Sequence, residues 1–292
     1  MMITRCLARR PATIPSAVGA WRRIPSRLSR SLYTVPTLDN HEELEANGVP
    51  GLLSREGFKI AYTDYQKYMV DELNVSTAQT PYEDQETKSL VIDFARDPTK
   101  AYAFNIASMA FNNHFFFHGL NTTSNVESQP STKLQMQINK DFSSTDTLRE
   151  TFLATAEAMF GPGFVWLVQN NGEFGSLRIL PTYLAGTPLS GAHYRRQSHD
   201  LNTHNADSYQ ALNKVGQFGA ASGQDQRPKA PLGGVDVVPL MCVNTWEHVW
   251  LHDYSIRGKR EYLEKWWDKI NWSLVEQNAT ISSRGSYSFQ GA

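Results

Sequence analysis

The chain has 292 residues, of which 40% are hydrophobic and 11% aromatic, and it carries 28 basic against 29 acidic side chains. That length and apolar content suffice for a globular body with a substantial core and exclude a disordered polyelectrolyte. No run of 18 apolar residues occurs, so no membrane-spanning helix and no membrane partner are expected.

The charge is unevenly placed. Arg5, Arg9, Arg10, Arg22, Arg23, Arg27 and Arg30 fall in the first 33 residues, among Ser and Ala, and no acid precedes Asp39. An Arg-rich, acid-poor leader of this kind predicts a mitochondrial transit peptide over residues 1–33 and a matrix location. The remainder holds 21 basic and 29 acidic residues, a formal charge of −8. Such a body is a poor general binder of polyanions, and any nucleic-acid contact has to be local. Cys6 lies in the leader and Cys242 stands alone, so no internal disulfide is expected.

In chain order, Tyr33–Leu38 reads as an extended lead-in. Phe58, Ile60, Tyr65, Tyr68, Met69 and Leu73 approximate a helical stripe, followed by a polar loop to about Lys88. A second helix spans Lys100 to Leu120, with Phe104, Ala107, Phe111, His114 and Phe117 or His118 on one side. Asn121 to Ser131 is polar and contains Pro130, which marks a boundary between a segment 34–129 and a segment 130–292.

The second segment changes character. Ser144 is an N-cap candidate, with Leu148, Phe152 and Ala156 on one helical face, and Gly161-Pro-Gly163 ends that helix. Phe164 to Gln169, a turn at Asn170-Asn-Gly172, and Ser176 to Leu180 read as a hairpin. Residues 185–236 are polar and rich in Gly, Ser, Asn and Gln, an insertion too long for a plain connection inside a compact domain. Val237 to Val243 is a third strand, leading into a helix from Thr245 and a Trp-rich helix that ends near Trp272. The fold class predicted is α+β: a helical hairpin, then a three-stranded antiparallel sheet with helices. No internal repeat is visible.

Four blocks, in order, resemble the iron/manganese superoxide dismutases. Asn113-His-Phe-Phe-Phe-His118 resembles the family's Asn-His-x-x-Phe-Trp. Ile138 to Phe142 with Phe160-Gly-Pro-Gly-Phe-Val-Trp-Leu167 resembles Ile-Asn-x-Asp-Phe … Gly-Ser-Gly-Trp-x-Trp-Leu. Asn244-Thr-Trp-Glu-His248 through Tyr254 resembles the metal-binding Asp-x-Trp-Glu-His run, and Tyr262-Leu … Ile270-Asn-Trp272 completes the set. The resemblance implies that the ligand positions are Ala61, His114, Asn244 and His248. Two of them have lost their ligands: His has become Ala61 and Asp has become Asn244. The family's outer Gln positions match Ala110 and Phe160, and His118 stands where a Trp walls the site.

Two imidazoles and an amide supply no anionic ligand for iron or manganese, so no metal and no cofactor are expected. His114 with His118, and His248 with His252, have the i, i+4 spacing of zinc-binding pairs, yet no carboxylate or thiolate accompanies them. In the family the Glu of Trp-Glu-His reaches across a dimer interface, so Trp246, Glu247, His248 and Trp250 are the expected interface residues.

A superoxide-dismutase-like chain with a mitochondrial leader and no ligand set also resembles the small-subunit mitoribosomal proteins of fungi, a pair of paralogues with this fold. That implies a catalytically inactive structural constituent of the mitochondrial small ribosomal subunit, supporting mitochondrial translation. Its implied partners are the paralogous subunit, as a heterodimer, and other small-subunit proteins. Arg195, Arg196, Arg227 and Lys229 in the insertion are candidates for a local rRNA or protein contact. The rival reading is an active mitochondrial manganese/iron superoxide dismutase, which would require the two ligands that are missing.

Overall fold

The start of the folded body is set by one side chain. Asn74 accepts from the Tyr33 amide at 2.7 Å and donates to its carbonyl at 3.0 Å, holding the lead-in against a helix like an added strand. The computed structural model describes residues 33–279, except for 84, 96, 123–127, 172–174 and 193–235. The transit-peptide reading and Arg195, Arg196, Arg227 and Lys229 therefore lie outside the described residues.

After α1 (His41–Asn47) comes a long helical run: α2 (Arg55–Phe58), a π-helical turn (Lys59–Asp64) and α3 (Tyr65–Thr77). Ser54 caps its start by accepting from the Gly57 amide. A π turn inserts one extra residue per turn and is commonest at functional positions. Here it contains Ala61. α4 (Thr87–Phe94) starts where the stretch read as polar loop ends, in a segment given no element, and α5 (Ala101–His118) packs against both α3 and α4.

α6 (Thr132–Phe142) and α7 (Thr145–Ala158) follow, each opened by a serine: Ser131 accepts from Leu134 N and Ser144 from Thr147 N. The break after α7 is glycine chemistry. Gly161 sits at φ +111°, and a Cβ on Gly163 would stand 2.2 Å from the Thr182 carbonyl oxygen.

β1 (Gly163–Asn170), β2 (Leu177–Tyr183) and β3 (Val237–Asn244) form an antiparallel sheet in the order β2-β1-β3. Phe164 pairs with Thr182 on one side and Asn244 on the other, which places the C-terminal end of β3 beside the start of β1. β1 is buried along almost its whole length, as a central strand covered on both faces should be. The β1–β3 register slips between Leu167 and Val168, leaving Leu240 as the extra residue, and its carbonyl accepts from Asn278. Pro181 lies in β2 and Pro239 in β3. α8 (Glu247–Tyr254), α9 (Lys259–Trp267) and α10 (Trp272–Asn278) close the chain.

The α+β class holds. The described residues of 34–129 and of 130–292 contribute to one hydrophobic core, in which Phe58, Tyr62, Phe117, Phe152, Trp166, Tyr262 and Trp266 are all buried. The beginning of the insertion also belongs to that core. Ala185, Leu189 and Ala192 are buried, Ser108 donates to the Ala185 carbonyl, and Asn112 donates to that of Gly186. A polar segment folds here because α5 supplies its backbone with partners.

Candidate functional site

The four expected ligand positions come from elements that meet at the inner end of β3: the π turn (Ala61), α5 (His114), the end of β3 (Asn244) and the first turn of α8 (His248). Ala61 and Asn244 are fully buried; His114 and His248 are half-buried.

The side-chain amide of Asn244 and the amides it leads to are all hydrogen-bonded. Its Oδ1 accepts from the Trp246 amide at 2.9 Å, and its Nδ2 donates to Asn113 Oδ1 at 3.1 Å. Asn113 Nδ2 donates to Gln66 Oε1 at 3.1 Å and to the Ala61 carbonyl at 3.2 Å. Gln66 Nε2 donates to the Ala110 carbonyl at 2.9 Å. The Asn244 carbonyl accepts from the buried Tyr262 hydroxyl at 2.8 Å. Asn113, Gln66 and Asn244 are each at most 1% exposed, so these bonds replace water completely.

His114 is held differently. The Tyr62 hydroxyl donates to the Pro36 carbonyl at 2.7 Å, so its oxygen accepts from His114 Nδ1–H at 3.0 Å. Burial, aided by His118 one turn away, lowers the His114 pKa to about 4, and the ring is neutral at physiological pH. His248 lies flat against Tyr65, ring centroids 4.0 Å apart, and burial lowers its pKa to about 4 as well. Its Nε2 is buried without a hydrogen-bond partner, as is Trp246 Nε1 beside it.

The residues present do not fit iron or manganese. Among the described residues no three His, Cys, Asp or Glu side chains gather where they could hold an ion. The one amide at a ligand position has both ends committed, and neither His114 nor His248 is accompanied by an anion that would offset a di- or trivalent charge.

Several expected residues are placed otherwise. Phe160, matched to an outer Gln of the family, is 98% exposed. His118 is exposed rather than walling the pocket. Trp250, expected on an interface, is buried in the chain's own core, donating to the Thr245 carbonyl, and cannot present its face to a partner. Glu247 is exposed and Trp246 half-buried. The sequence reading missed Gln66, Tyr62 and Tyr65. Gln66 carried a legible signal: it interrupts the apolar spacing Phe58, Tyr62, Val70, Leu73 at a position that has to be buried.

The profile of the iron/manganese superoxide dismutases, C-terminal domain, matches residues 130–196 and 195–278. The small ribosomal subunit protein mS43 of Schizosaccharomyces pombe is 28% identical over 256 residues, 86% of this chain and 85% of that protein. The small ribosomal subunit protein mS42 of the same organism is 29% identical, covering 78% and 89%. The iron superoxide dismutase of Legionella pneumophila is 25% identical, covering 77% and 90%. With that profile matched over residues 130–278, more than half of its length, the chain belongs to the iron/manganese superoxide dismutase family.

Proposed function

We propose that the chain is a structural constituent of the mitochondrial small ribosomal subunit that keeps the dismutase fold without its chemistry. The observation that carries this is the pair of positions Ala61 and Asn244, both sealed into a buried network that offers a metal no anion. The similarity to two small ribosomal subunit proteins over most of their length supports the same reading.

In this reading the leader directs the chain to the matrix, and a paralogous subunit packs on the face carrying Glu247 and His248. Glu247 is exposed in the first turn of α8 and precedes His248 in the chain. The basic residues Arg195, Arg196, Arg227 and Lys229 are its candidates for local rRNA or protein contact. Sedimentation of tagged chain with mitochondrial small subunits tests the assignment, and migration only in the free-protein fractions would reject it. Glu247→Lys should lower incorporation on the order of tenfold, by leaving a misplaced charge in a desolvated contact. Purified protein loaded with manganese or iron should dismutate superoxide no faster than background.

A further inference from the structure

The buried amides around Asn244 form a chain with a direction. It begins at a group that can only donate, the Trp246 backbone N–H, and ends at groups that can only accept, the Ala110 and Ala61 carbonyls. Between them Asn244, Asn113 and Gln66 each accept on the upstream side and donate on the downstream side. Because both ends are backbone, no single amide can be turned over without setting two oxygens against each other.

We infer that this polarised amide chain is the clasp that replaces the family's metal, and that it excludes an aspartate at position 244. It fastens the π turn, α3, α5, the end of β3 and the start of α8 to one another through five hydrogen bonds of 2.9–3.2 Å. These elements include every one that supplied an expected ligand position. A carboxylate at 244 could still accept from Trp246 N–H, but its second oxygen would face Asn113 Oδ1. Turning Asn113 over would move the clash to the Ala61 carbonyl and Gln66 Oε1, and turning Gln66 would move it on to the Ala110 carbonyl. Asn244 is therefore a working part of a rebuilt site, and restoring the family's Asp there damages the fold before it invites a metal. The inference takes its sense from the non-catalytic reading, yet a chain that failed to sediment with ribosomal subunits would leave it intact.

Thermal unfolding of the full chain tests it. Asn244→Asp should lower Tm by about 5 °C at pH 7.5, the cost of a buried mismatched pair in a body of this size. The loss should shrink as the pH falls towards 5, because a protonated carboxyl can donate to Asn113 Oδ1 as the amide does. Subtracting the wild-type profile cancels His114 and His248, which titrate in both proteins. Gln66→Glu, which sets a carboxylate against the Ala110 carbonyl, should behave alike, and the double variant should lose less than the sum. Manganese(II) added alone should leave the wild-type Tm unchanged. If Asn244→Asp does not fold at neutral pH, its denaturant midpoint at pH 5 and the Gln66→Glu profile decide the question. Asn244→Asp as stable as wild type at pH 7.5, a loss that is equal at both pH values in both variants, or a manganese-induced rise in wild-type Tm would each overturn the proposal.

Discussion

The two sides of the cluster formed by Ala61, Asn244 and His248 differ in how their polar atoms are paired. On the side of Ala61 and Asn244 the polar atoms form a closed chain, with backbone groups at each end. On the side of His248, two buried nitrogens, His248 Nε2 and Trp246 Nε1, have no partner at all. Burying a polar group without a hydrogen bond costs about 1–3 kcal/mol in protein contexts. On the inner side the amides beside Ala61 and Asn244 thus stabilise the body, while the outer side, that of His248 and Trp246, carries the cost of two unpaired buried nitrogens.

Truncation should separate the two sides most sharply. Asn113→Ala strands the Asn244 amide, Gln66 Oε1 and the Ala61 carbonyl at once, and should cost about 4 kcal/mol in urea unfolding, since several buried groups lose partners together. A cost below about 1 kcal/mol would mean that water enters and the inner side is not closed.

Acid should strain the outer side next. His248 binds its proton near pH 4 when folded and near pH 6.5 when unfolded, so between these values the unfolded chain holds more protons. The neutral ring's contribution is complete above pH 6.5 and is lost as the pH falls towards 4, by up to about 3 kcal/mol. His114 adds to the same fall with the same sign. His248→Leu should flatten the profile in that window, and an unchanged profile would show the ring to be hydrated.

The smallest effect should have the opposite sign. Trp246→Phe removes an indole N–H that has no acceptor, so the free chain should be unchanged or up to about 1 kcal/mol more stable. If the partner subunit supplies the acceptor, the same change should weaken pairing, and a variant both less stable and equally well paired would erase the contrast drawn here.

How far these features could be read from the sequence depended on what encoded them. The strands and the helices containing His114 and Leu148 were legible because apolar periodicity encodes them, and Ser144 marked its helix start correctly. α6 was not, since only Leu134 and Ile138 are buried in an otherwise polar run, and neither was α4, a short apolar run just after a polar loop. The loss of ligands at positions 61 and 244 was visible as substitutions. What filled their place was not: the direction of an amide chain depends on which backbone groups terminate it, and those are brought together only by the fold. Trp250 is the converse case: its place beside Glu247 suggests an interface aromatic, while the helical turn carries its ring into the chain's own core.

The prolines in the sheet carry a last consequence. Pro181 and Pro239 stand in the two outer strands, and at the bulge next to Pro239 the free Leu240 carbonyl is occupied by Asn278. A strand that lacks an N–H, or whose spare carbonyl is already taken, is a poor template for another chain to extend the sheet. Among the described residues, both outer strands thus carry a feature that disfavours edge-to-edge pairing of one copy with another.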